Sequence, residues 1–78
     1  MNTKQIVKEF MGKFFDVSTI GDDVNIFEKK LVNSLFSMQL VNFIEQEFDV
    51  SIDNDELDID NFKDVNSIVA LVEKKIAE

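Results

Sequence analysis

The chain contains no cysteine, histidine, tryptophan, tyrosine, proline or arginine. Without cysteine there is no disulfide framework, zinc knuckle, redox pair or thiol nucleophile. Without histidine there is no Ser-His-Asp or Cys-His catalysis. The basic side chains are eight lysines against 16 acids, a net charge of -8. That surplus repels phosphate backbones and anionic lipid, which argues against nucleic-acid and membrane partners. Long apolar runs are missing too: the longest, Ile68 to Val72, is far too short to span a bilayer. Lys4, Lys8, Glu9 and Lys13 break up the apolar residues of the N-terminus, so it does not read as a signal peptide. The exclusions predict a cytoplasmic protein that is not an enzyme in its own right.

What is present suffices for a core. The 78 residues lie near the lower size limit for a domain without disulfides or metal, and 45% of them are apolar, including eight Phe. One domain over residues 1–78 is expected, with no repeat, Pro/Gly-rich linker or low-complexity tract.

Three segments carry helical periodicity. In the first, Ile6, Val7, Phe10, Met11 and Phe14 recur at helical spacing opposite Lys4, Gln5, Lys8, Glu9 and Lys13. In the last, Val65, Ile68, Val69, Val72 and Ile76 form a stripe, with Asp64 as N-cap and Lys74 and Lys75 at the dipole's negative end. The middle segment, about Ser34 to Phe48, is less ordinary. At about 100° per residue, Leu40, Val41, Ile44 and Phe48 converge on one side and Gln39, Asn42 and Gln46 on the other. Leu35 falls within that polar face, Met38 at its edge and Phe36 well off the core direction. The start of this helix therefore shows water a small apolar cluster beside Ser34, either covered by a long loop or serving as a contact surface.

The first two helices are separated by a long loop, roughly Asp16 to Asn33, with Gly21-Asp22-Asp23 as a turn and Ile26-Phe27 as a plug into the core. From Asp49 to Asp64 runs a stretch with seven acids and one lysine, which holds six of the eight surplus negative charges. Val50, Ile52, Leu57, Ile59 and Phe62 are expected to pin it inward, with a short helical turn around Asn54 to Leu57. Asp49, Ser51, Asp53, Asp55 and Asp60 suggest a calcium loop, but the glycine for its sharp turn and the closing bidentate glutamate are missing, so no metal site is expected. Nor do the paired carboxylates indicate a buried pair beside a pocket.

Ser34 is the residue of interest. Ser or Asn before an apolar-periodic run reads as an N-cap, here without a capping box. A helix N-terminus also presents free N–H groups and a positive dipole end, so a phosphate esterified to Ser34 would be stabilised. Both readings stay open on local grounds.

The string Asn33-Ser34-Leu35-Phe36-Ser37-Met38-Gln39-Leu40-Val41, followed by Phe43-Ile44-Glu45 and Glu47-Phe48, resembles the acyl carrier protein family's Asp-Ser-Leu motif and the Glu-Glu-Phe ending of its second helix. Ile26-Phe27 resembles the family's loop anchor. Val50-Ser51-Ile52 and the Phe62, Val65, Ile68 spacing fit its third and fourth helices. The resemblance covers nearly the whole chain and implies an all-α four-helix bundle of acyl carrier type, with a long first loop and a short third helix. It further implies that Ser34 bears 4'-phosphopantetheine, transferred from coenzyme A by a phosphopantetheinyl transferase. The arm would supply the thiol that the chain lacks, and partner enzymes would do the chemistry. Leu35, Phe36 and Met38 would flank the arm and, with Gln39 and Asn42, meet loading, tailoring and acyltransferase or synthase enzymes. Glu45, Glu47, Asp53, Asp55 and Glu56 would steer basic partner surfaces toward a monomeric carrier.

Two positions depart from the family's pattern. Asn33 replaces the usual Asp, and Lys30-Leu31 stands where the family commonly has a Gly nearby. The string from Leu31 to Phe43 is most similar to stand-alone carriers of polyketide or hybrid polyketide-peptide pathways that bear hydroxymalonyl, methoxymalonyl or aminomalonyl units. A D-alanyl or other aminoacyl carrier is the nearer alternative. A different class, an acidic interaction module with Ser34 only a helix cap, is the rival. A small polar cargo is expected to lie outside the apolar interior.

Overall fold

The computed structural model describes residues 2–28 and 33–77. Four α-helices are present among them: α1 (Thr3–Met11), α2 (Ser34–Phe48), α3 (Ile59–Phe62) and α4 (Val65–Ala77). Short 3-10 turns occupy Val17–Thr19 and Asn54–Glu56, and no strand occurs among the described residues. The expected all-α bundle, with its long first connection and short third helix, is the fold observed.

Each long helix starts on a side-chain cap, which satisfies an N–H group that the first turn leaves without a partner. The Asn2 side chain accepts the Gln5 N–H at 3.1 Å, and Asn33 Oδ1 accepts the Phe36 N–H at 3.0 Å. Asp64 Oδ1 accepts the Ser67 N–H at 2.7 Å, which is the cap expected for α4. Helix α2 stops at Asp49, whose φ of 53° is left-handed and whose N–H returns to the Glu45 carbonyl. An L-residue tolerates that conformation best when its side chain is short and polar.

The core lies where Val7 and Met11 of α1, Phe36, Leu40, Ile44 and Phe48 of α2, Phe62 of α3, and Val65, Ile68, Leu71 and Val72 of α4 converge, with Ile26 from the first loop. The loop is fastened at three points. Asp22 accepts from Lys4 Nζ at 2.7 Å and Lys8 Nζ at 3.0 Å. Its carbonyl accepts the Asn66 N–H at 3.0 Å, and the Ile26 N–H donates to the Lys63 carbonyl at 2.7 Å. The Lys4 and Lys8 ammoniums hold the Asp22 carboxyl below its ordinary pKa. Of the expected plug, Ile26 is fully buried while Phe27 is only half-buried.

Two sequence expectations are corrected here. Phe36 is 5% exposed, not turned to water. The buried stripe of α2 steps four residues at a time through Phe36, Leu40, Ile44 and Phe48, so its centre lies nearer Phe36 than a wheel centred on Val41 suggests. Phe14 meets the Phe36 ring edge-on at a centroid distance of 5.1 Å, with Phe15 at 5.9 Å and Phe10 at 6.3 Å. These rings from α1 and the residues after it close over a side chain that α2 alone leaves uncovered. Conversely, Leu57 and Ile59 are exposed and do not pin the acidic stretch. Phe62 does so, helped by half-buried Val50 and Ile52.

Candidate functional site

Ser34 is the first residue of α2 and is exposed. The cap is Asn33, not Ser34: the Asn33 side chain takes the Phe36 N–H, and its carbonyl takes the Ser37 N–H at 3.1 Å. The reading of Ser34 as the helix cap is thereby corrected. Its hydroxyl has no hydrogen-bond partner among the described residues, and the Ser34 and Leu35 N–H groups sit in the helix's unpaired first turn. A hydroxyl oxygen is thus held at the positive end of a 15-residue helix, open to solvent.

Around it the expected apolar cluster is present in part. Leu35 is 62% exposed and Met38 is likewise exposed, while Phe36 lies beneath them in the core. Gln39, Asn42 and Gln46 are exposed along α2 and carry no charge. Lys30-Leu31, the second departure from the family pattern, lies outside the described residues.

Beside Ser34 runs a groove of about 710 Å³, within the range of small-molecule sites. Phe27, Met38, Val41, Leu57, Ile59 and Phe62 give it apolar walls. Asn33, Ser34, Ser37, Asn42 and Asp58 supply polar groups at intervals. Sequence reasoning missed Phe27, Leu57, Ile59 and Phe62 as site residues because it assigned them to the core. The available signal was the shortness of the segment around Ile59, which cannot bury successive apolar residues on one face.

The five acids expected to steer partners fall into different environments. Asp55 and Glu47 are exposed. Glu45 is half-buried, and its Oε2 accepts the Ile52 N–H at 2.9 Å, bracing the chain after α2. Glu56 also faces inward. Its Oε1 accepts from Lys75 Nζ and from the Asp53 N–H, each at 2.9 Å, and Lys74 Nζ lies 3.8 Å from Oε2. Lys75, then the Asp53 N–H, hold the Glu56 carboxyl below its ordinary pKa. Asp53 is exposed, with Lys75 Nζ 3.9 Å away. Phe36 and Glu56 are therefore not open contact residues, and Glu45 is only partly so.

The chemistry available to the site is narrow. An exposed serine hydroxyl at a helix N-terminus, with a groove beside it, suits a phosphate ester at the serine. Among the described residues no helix is long and apolar enough to cross a membrane. A family model described as the phosphopantetheine attachment site matches residues 3–72. No curated protein matches the chain.

Proposed function

The chain belongs to the phosphopantetheine attachment-site family, whose members carry covalently bound 4'-phosphopantetheine and work with phosphopantetheinyl transferases and biosynthetic enzymes; from that premise we propose that Ser34 is the attachment residue. The observation that carries the assignment is the division of labour at the start of α2: Asn33 caps the helix and leaves the Ser34 hydroxyl unengaged and exposed. The residues fit the group. Ser34 would offer the oxygen, the unpaired N–H groups of the first turn and the helix dipole would favour a phosphodiester there, and the neighbouring groove, with both polar and apolar lining, would accept the arm. The bound arm supplies the thiol that a chain without cysteine lacks. The chain's own part is to position and release the thioester, as one carrier domain over residues 1–78, with the bond-making left to its partners.

The cargo favoured is an acyl group of the functionalised malonyl type, delivered to polyketide or hybrid polyketide-peptide enzymes. Support comes from the neutral exposed face of α2 (Gln39, Asn42 and Gln46), which suits a narrow partner set better than general electrostatic steering. The neutral polar groups of the groove, Asn33, Ser37 and Asn42 among them, also give a small polar cargo partners on the bundle's surface, outside the core. A D-alanyl or other aminoacyl cargo is the alternative that the same groups accommodate.

The attachment is tested by incubating the protein with coenzyme A and a broad-specificity phosphopantetheinyl transferase and weighing it. Wild type gains the mass of one arm and Ser34→Ala gains none. An unmodified wild type, or the same gain in Ser34→Ala, refutes the assignment. Intact mass of the loaded protein isolated from its own cells then separates malonyl-type from alanyl cargo.

A further inference from the structure

The groove's outer wall is a weak element on its own. Helix α3 has four residues, fewer than an isolated helix needs to persist. Leu57 and Ile59 turn their side chains to the groove and solvent, so of the wall's apolar residues only Phe62 is buried in the core. The downstream end is tied by the Ile26 N–H to the Lys63 carbonyl at 2.7 Å. The upstream end depends on Glu56. Its carboxylate meets Lys75 Nζ at 2.9 Å across 19 positions of sequence, and its carbonyl accepts Asn61 Nδ2 at 2.8 Å from inside α3. The two side chains of the ion pair are only 13% and 8% exposed. Solvent screens such a pair far less than a surface bridge, and it is the shortest contact of a small charge cluster in which Lys74 also lies 3.8 Å from Glu56 and Asp53 3.9 Å from Lys75.

We propose that Glu56, acting through Lys75, is a positioning residue that fixes the groove's outer wall against α4 and so determines how well an acyl group on the Ser34 arm is shielded. The proposal rests on the attachment reading above and adds to it a control of cargo exposure at a distance from the serine. Glu56 works from inside the fold. Leu57, next in sequence, and Ile59 ride on the turn that it holds. When the ion pair is lost, the Asp53–Asn61 stretch stays tethered at Ile52, whose N–H Glu45 holds, and at Phe62 in the core, and bows away from α4 between them. The groove then widens at the side opposite Val41 and Met38.

Two variants test this: Lys75→Met, which keeps the apolar stem, and Glu56→Gln, which keeps an acceptor for the Asp53 N–H. Val72→Ala, in the core of α4, serves as a control that lowers stability without touching the pair. On the arm-free chain, amide exchange at Leu57 and Asn61 should accelerate about tenfold or more in both variants, with Ile68 unchanged, as local opening requires. Unchanged exchange at Leu57 and Asn61 in both variants overturns the clamp. On protein loaded with an octanoyl-phosphopantetheine arm, hydroxylamine releases the thiol and forms the hydroxamate, and the rate reports thioester exposure. Cleavage should be severalfold faster in both variants and unchanged in Val72→Ala. Equal cleavage in all four proteins, or acceleration in the control as well, overturns the shielding role. Failure of wild type to accept any arm refutes the attachment reading instead, and the arm-free exchange data still judge the clamp.

Discussion

Replacing Phe36 with alanine tests the one place where a side chain close to Ser34 lies opposite to its expected orientation. Phe36 is 5% exposed and rings from Phe10, Phe14 and Phe15 surround it. Truncating a buried Phe to Ala costs about 3–5 kcal/mol in transfer and cavity terms. The edge-on contact with Phe14 accounts for about 0.5–1.5 kcal/mol within that loss. Typical stability per residue puts a chain of 78 residues at about 4–12 kcal/mol. Phe36→Ala thus removes about a quarter or more of the total. Leu35→Ala, one residue away at 62% exposure, should fall within about 0.5 kcal/mol of wild type. With urea m-values of about 1 kcal/mol/M for a domain this small, the Phe36→Ala midpoint drops by about 3 M or the protein is unfolded from the outset. Phe36→Leu, which removes less volume and leaves a smaller cavity, costs less and keeps the comparison measurable. Far-UV circular dichroism is the appropriate probe, since the chain has no Trp or Tyr to report by fluorescence. A Phe36→Ala midpoint close to wild type, or a Leu35→Ala loss of equal size, would refute the packing argument.

The helix cap gives a second contrast: Asn33→Ala should cost about 1 kcal/mol in the same denaturation assay, while Ser34→Ala, which removes no cap, should cost much less. At the other end of α2, Asp49→Gly should raise stability by up to about 1 kcal/mol because φ is positive there, a gain read directly as a higher midpoint. Asp22 sets an acid window. Its folded pKa lies below the ordinary 3.8, so its contribution is complete above that value and disappears as pH falls through the folded pKa. Midpoints measured from pH 7 downward should show Asp22→Asn less stable than wild type at neutral pH, with the gap closing below about pH 4; a gap independent of pH would refute the role of Lys4 and Lys8.

Much of the scaffold could be read from the sequence. The bounds Ser34 and Phe48 of α2 follow from its apolar period, and Asp64 follows from its place before the last stripe. What escaped notice depends on contacts between elements. A helical wheel of α2 alone carries no trace of Phe10, Phe14 and Phe15, so Phe36 looks exposed. A four-residue helix has no period to read, so Leu57 and Ile59 look like anchors when they are groove walls. Glu56 lies among six other acids and reads as solvated surface until α4 brings Lys75 to it from 19 residues away. The serine itself was visible. Its freedom from capping was not, because Asn33 and Ser34 are both good caps and only the backbone geometry chooses between them.

That choice has a consequence for how the protein passes between unmodified and modified forms. Asn33 holds the first turn of α2 with a neutral oxygen. A carboxylate would cap equally well, but it would lie one residue from any phosphodiester on Ser34, and the two negative charges would compete for the same dipole. The strength of the cap would then change each time an arm was added. An uncharged amide removes that coupling. If Ser34 carries the arm as proposed, a transferase meeting the bare serine and a later enzyme meeting the loaded one would find the same neutral cap on α2.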